Sequence, residues 1–143
     1  MTNLQYAVSN ADLFEDFLKK HLNVSNKNII SLQDEQALHA RILSSFMLLK
    51  DNMHYKKDEA AIIIYYAGHE AQTDKPHGWQ NWCTSSGCIE VLCPSDMDCP
   101  TMNDKKNQDV IRGIPNRTIS ALLNQISEAK GNNIVRISNL SQN

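Results

Sequence analysis

Ala61-Ile62-Ile63-Ile64-Tyr65-Tyr66-Ala67-Gly68-His69 is the stretch on which the fold turns. Seven apolar or aromatic residues follow one another without alternation, from Ala61 to Ala67. That pattern suits a parallel strand covered on both faces and is too short for a helix. The charged run Lys56-Lys57-Asp58-Glu59 precedes it, and Gly68 gives the chain room to turn as it leaves the sheet. His69 comes next, at the end of a strand where open α/β sheets gather ligands and chemistry, so its imidazole is a candidate acid or base.

Working outward, the preceding segments supply helices. Ser9 or Asn10 can cap a helix from about Ala11 to Leu22-Asn23, because Leu13, Phe14, Phe17, Leu18 and His21 recur at helical spacing. Ile29-Ile30-Ser31-Leu32 reads as an outer strand after a polar turn. Asp34 to Lys50 reads as a second helix with Leu38, Ile42, Phe46 and Leu49 on one stripe. Strand, helix, strand in this order means a crossover, and hence an α/β sandwich with a mostly parallel sheet.

Beyond His69, a segment at about 70–116 shows little periodicity and carries Pro76, Trp79, Trp82, Gly87, Pro94, Pro100 and Pro115. Loops of that length are usually functional or disordered. Ile89 to Pro94 can form a short strand within it. A third helix follows, capped by Asn116 or Thr118, with Ile119, Leu122, Leu123 and Ile126 as its apolar face and Gly131 beyond its end. A last strand begins at Asn133-Ile134-Val135. One core is expected to bury Leu13, Phe17, Ile42, Phe46, Ile62, Ile64, Leu122 and Ile126 together.

Composition narrows the function classes. The chain has 143 residues, enough for one domain, with 41% hydrophobic content. With 14 Lys+Arg against 16 Asp+Glu there is no basic stripe of the kind nucleic acid requires. No apolar segment is long enough for a membrane, and Met1 to Tyr6 does not read as a secretory signal, so a cytoplasmic protein is expected. Cys83, Cys88, Cys93 and Cys99 are then expected to be reduced thiols. Their spacings of four, four and five intervening residues lack the tight pair that opens most zinc sites, so no metal and no cofactor is expected. Loop thiols without a structural duty are the plainer reading, and a zinc-binding loop the alternative.

A histidine after a buried strand is more often a packing or surface residue than a catalytic one. Here its neighbours matter: Tyr65-Tyr66-Ala67-Gly68-His69 resembles the histidine motif of the caspase-like cysteine peptidases, including caspases, metacaspases and their fungal relatives. Other segments fall in that family's order. Leu4 to Leu22 and Asp34 to Lys50 resemble its first two helices, Leu92-Cys93-Pro94-Ser95-Asp96 its Pro-x-Asp segment, and Gly113 to Ile119 the entry to its third helix.

The resemblance implies a three-layer sandwich, here the histidine-bearing part of a large-subunit half, spanning 1–143 as one partial domain incomplete at both ends. It also implies a Cys-His dyad acting on peptide or protein substrates, with His69 as the histidine and Gly68 beside it. The nucleophile's place, at the end of the next strand, falls on Ser141, where cysteine is expected. An alcohol must lose its proton during attack, whereas a thiol with pKa about 8.5 is already a few per cent thiolate at neutral pH. The substrate pocket falls on Asn10 and Asp96; Asn10 and Asn139 stand where metacaspases carry acidic residues that pair a basic side chain. Glu70 replaces the glycine expected after the histidine.

The resemblance thus implies a peptidase-type domain inactive by itself. No thiol is expected close to His69. The alternative is a non-catalytic module that pairs with another caspase-like chain through an open sheet edge.

Overall fold

The computed structural model describes residues 5–74, 79, 87–97 and 113–141. Three helices, α1 (Gln5–His21), α2 (His39–Asp51) and α3 (Asn116–Lys130), accompany four strands, β1 (Ile62–Asp74), β2 (Cys88–Leu92), β3 (Ile114–Pro115) and β4 (Ile134–Ser141).

The sheet has the order β3-β2-β1-β4 and is mixed. β1 and β4 run parallel from Ile62↔Ile134 to His69↔Ser141. β1 and β2 run antiparallel from Glu70↔Leu92 to Asp74↔Cys88, and β2 and β3 are antiparallel too. This corrects the expectation of a mostly parallel sheet. Rather than turning at Gly68, β1 continues through Asp74: its pairing with β4 on one edge ends at His69, and its pairing with β2 on the other edge begins at Glu70. The continuation Glu70-Ala71-Gln72-Thr73 is polar and alternating, so it becomes a strand only because β2 supplies its ladder.

Alternation assigns the two faces of β1. Ile62, Ile64 and Tyr66 pack on the core formed by Phe46 of α2, Leu92, Ile114 and the α3 residues Ile119 and Ile126. Each such side chain, fully buried, contributes about 1.5–3 kcal/mol. Ile42 and Leu122 join the same cluster. Leu13 and Phe17 do not, being 69% and 45% exposed. On the opposite face α1 is seated through Phe14, whose ring stacks on Tyr65 with centroids 4.3 Å apart.

Helix α1 starts six residues earlier than Ala11, at Gln5. Ser9 does not cap it; its hydroxyl donates back to the Tyr6 carbonyl at 3.2 Å, as serine within a helix can. The helix ends through Asn23, whose φ of 53° lies in the left-handed region that asparagine tolerates.

The expected strand at Ile29–Leu32 is not formed. Two single 3-10 turns, Asn26–Asn28 and Asp34–Gln36, flank an extended segment that pairs with no strand among the described residues. Gln33 instead donates to Asp12 of α1 at 2.8 Å. Helix α2 begins at His39, not Asp34, and its start is set from far along the chain: the His39 amide donates to Asp96 Oδ1 at 2.8 Å. The Ser95 amide donates to the Ala37 carbonyl at 2.9 Å beside it.

At α3, Pro115 occupies the N-cap position and Asn116 the first helical position, so neither Asn116 nor Thr118 is the cap. Gly131 closes the helix as expected, with φ 95°. A Cβ there would lie 1.9 Å from Asp58 Oδ1. Lys130 fastens the same turn: its ammonium donates to the carbonyls of Asn52 and Tyr55 at 2.5 and 2.9 Å, and its carbonyl accepts from the Asp58 amide at 2.9 Å. The end of α3 thereby holds the turn that delivers the chain into β1.

Within the segment expected as a loop at 70–116, the end of β1, all of β2 and all of β3 are strand. Trp79 is half-buried with the Arg117 guanidinium 5.7 Å from its ring centre. Trp82, Cys83 and Cys99 lie outside the described residues.

Candidate functional site around His69

Tyr66 organises the backbone at this site. Its hydroxyl donates to the His69 carbonyl at 2.8 Å, with a longer contact of 3.4 Å to the Cys93 carbonyl. The phenol reaches His69 by lying over Gly68, where a Cβ would stand 2.6 Å from the Tyr66 oxygen. Glycine is therefore required here for close approach rather than for a turn. Burial pushes the Tyr66 phenol up to about 12; the negative charge that Cys93 can carry adds to this, a Cys93 backbone hydrogen bond opposes it, and Glu70 adds less. At neutral pH Tyr66 is a neutral hydrogen-bond donor.

His69 is the last residue of β1 paired with β4, and its partner is Ser141. Gly68 pairs with Leu140 on the same ladder. Three residues singled out in the sequence, Gly68, His69 and Ser141, thus meet at one end of the parallel pair. His69 is half-buried.

Asp96 is committed elsewhere, and Asn10 lies on α1. Asn10 is half-buried on α1, four residues before Phe14 and so on the side of the helix that Phe14 seats against Tyr65. Asp96 holds the first amide of α2 with Oδ1. That contact gives Asp96 a structural duty that its segment's resemblance to a pocket does not convey.

Glu70 turns away from the imidazole. Strand alternation sends it to the α3 face, where Asn116 Nδ2 donates to Glu70 Oε1 at 3.2 Å and to Glu90 Oε2 at 3.0 Å. Arg136 donates to the Asn116 side-chain oxygen at 3.4 Å. Two carboxylates beside the first turn of α3 also suit the positive end of its dipole.

Sequence reasoning gave Tyr66 and Cys93 no role beyond their motifs and expected no thiol close to His69, whereas the ladder sets Cys93 opposite it. The signal for Tyr66 was its two-residue offset from Gly68 on one strand face. Cys93 carried no such signal, because its place depends on the register of β2. The Cys93 amide donates to the His69 carbonyl at 3.1 Å.

Among the described residues, no group of three or more His, Cys, Asp or Glu is arranged to hold a metal ion. No helix among them is long and apolar enough to cross a membrane.

Fold and site together define a mixed α/β protein with an imidazole where its central strand changes partner. Compared with known proteins, the chain matches no family model, no curated protein and no solved structure.

Proposed function

We propose that this chain is a caspase-like domain of cysteine-endopeptidase ancestry, working in the cytoplasm, in which peptide hydrolysis by that family's own route does not run. The observation that supports this reading is the register His69↔Ser141 on adjacent parallel strands. The resemblance calls for a histidine and a nucleophile at the ends of neighbouring strands, and these two residues hold that relation. Ser141 supplies an alcohol where the mechanism relies on a thiolate. Asn10 and Asn139 supply amides where a basic side chain would need carboxylates.

The test is hydrolysis of a peptide panel with Arg, Lys or Asp before the cleaved bond. No turnover is expected from the 143-residue chain. Turnover that disappears in His69→Ala would overturn the reading.

A second reading rests on a different observation. Among the described residues β4 lies at the sheet edge, and it exposes Val135 (48%) and Ile137 (37%). Such an edge offers main-chain hydrogen bonds to an added strand. In this reading the chain is a non-catalytic partner of another caspase-like chain. Concentration-dependent mass measured by light scattering with Ile137→Lys as the comparison separates the two: edge pairing requires the variant to weaken association.

A further inference from the structure

The antiparallel ladder of β1 and β2 extends one step past its last strand pair. Glu70 faces Leu92, and the next residues out, His69 and Cys93, are joined by the Cys93 amide donating to the His69 carbonyl at 3.1 Å. Directly opposed residues on antiparallel strands project to the same face with Cβ atoms about 4.5–5.5 Å apart. An imidazole and a thiol can meet across that gap. Both residues are half-buried, so a small reagent can reach them, and Cys93 is a thiol.

His69 therefore stands between two strands, with Ser141 across β4 and Cys93 across β2. We propose that Cys93 is the more reactive of the two thiols among the described residues, paired with His69 and open to hydroperoxides and to small soft electrophiles. This does not depend on the peptidase reading, because it uses neither Ser141 nor a substrate pocket.

The chemistry balances as follows. The imidazole takes the thiol proton, and the Cys93 sulfur attacks one oxygen of the hydroperoxide. A sulfur–oxygen bond forms while the oxygen–oxygen bond breaks. The departing oxygen collects the proton from the imidazolium and leaves as water, or as an alcohol when the peroxide is organic. Sulfur is oxidised by two electrons to the sulfenic acid and the peroxide is reduced by the same two.

The charges around the pair set its pH dependence. On β1, Tyr66 stays neutral because its phenol is pushed up to about 12, while Glu70 is drawn to Asn116 of α3. In the turn after β2, Asp96 is held by the His39 amide of α2. On the α1 side, Tyr65 is covered by the neutral ring of Phe14. Glu70 and Asp96 are anionic and work against a thiolate. Protonated His69 works for it, as imidazolium does beside reactive cysteines generally.

The experiment is alkylation of the full chain with limiting iodoacetamide between pH 6 and 8.5, the adducts of Cys88 and Cys93 being quantified by peptide mass spectrometry. At pH 6.5, Cys93 is expected to react about tenfold faster than Cys88, because an imidazolium beside a thiol favours its thiolate. Hydrogen peroxide followed by dimedone should tag Cys93 first. In His69→Gln the excess should fall to about onefold. In urea it should vanish in the unsubstituted chain, which keeps the test valid even if that variant does not fold. Equal rates for Cys88 and Cys93 in the native chain, an excess that survives urea, or an excess unchanged in a folded His69→Gln would each overturn the proposal.

Discussion

The Tyr66 hydroxyl hydrogen-bonds the carbonyl of His69 at 2.8 Å, passing over Gly68, so the backbone of the candidate site is held by the strand that carries it. Removing the hydroxyl in Tyr66→Phe should cost about 0.5–1.5 kcal/mol, the net worth of an ordinary internal hydrogen bond. Gly68→Ala should cost more, about 1–3 kcal/mol, because the new methyl meets the phenol at 2.6 Å. The double variant should recover part of that loss, since the ring carbon that remains would still stand at 2.8 Å. Urea denaturation of the four proteins measures the coupling; strict additivity would contradict the contact.

Tyr66 also ties stability to alkaline pH. Its phenol ionises near 10.0 when unperturbed and is pushed up to about 12 in the fold, so the unfolded chain gives up this proton first. The stabilisation is complete below pH 10 and is lost as the pH rises toward 12, with a total of the order of 2–3 kcal/mol. Other tyrosines and lysines titrate in the same window, so the quantity to measure is a difference. The gap in unfolding free energy between the unsubstituted chain and Tyr66→Phe should shrink from pH 9 to pH 11.5.

Asp96 and His39 join the turn after β2 to the start of α2. Asp96→Ala should lower stability by about 0.5–2 kcal/mol, the range for losing a side-chain cap. Amide exchange should quicken in the first turn of α2 and leave the centre of α3 unchanged. Equal exchange at His39 in both proteins would count against the cap.

How much of this was legible in the sequence depends on where each element's partner lies. β1 over Ile62–Ile64 and α3 with its Ile119-to-Ile126 stripe and closing Gly131 are written in local pattern. The start of α2 lies five residues past the expected Asp34 because Asp96, 57 positions from His39, decides it. Ile29–Leu32 looked like a strand by composition, yet no neighbour supplies its ladder among the described residues. The reverse holds for Glu70–Asp74, which is polar and becomes strand because β2 pairs with it. For the site, Gly68 and His69 were readable as a motif, and Ser141 by counting from Ile134. Cys93 was not, since a one-residue slip of β2 would have turned its thiol to the other face.

Gly131→Ala should test the lock between α3 and the turn before β1. The backbone there has φ 95°, and the added carbon would lie 1.9 Å from Asp58 Oδ1. Left-handed backbone at a residue with a side chain costs about 1–3 kcal/mol. Asp58→Gly in the same protein should remove the collision and leave only the backbone cost, so thermal unfolding of the double variant should lie above that of Gly131→Ala.

Ser141→Cys is the substitution on which the proposed function turns most sharply. It puts a thiol at the register position opposite His69, and the absence of a cysteine at that position is the simplest single reason for the inactivity proposed above. The expected outcome is nevertheless no detectable turnover of peptides with Arg, Lys or Asp before the cleaved bond. Nucleophile, imidazole, oxyanion donors and substrate pocket act as a unit, and restoring one leaves the others unmet. The glycine that the resemblance expects after the histidine, a residue beside the oxyanion, is Glu70 here, and its carboxylate is engaged by Asn116. Asn10 and Asn139 remain uncharged, so the two positions where the resemblance places acidic residues offer no charge to a basic substrate side chain. Adding Glu70→Gly, Asn10→Asp and Asn139→Asp to Ser141→Cys is therefore the informative comparison, read as single-turnover labelling by a peptide acyloxymethyl ketone as well as by turnover. Activity from Ser141→Cys alone would mean that the oxyanion and pocket functions already exist in this chain.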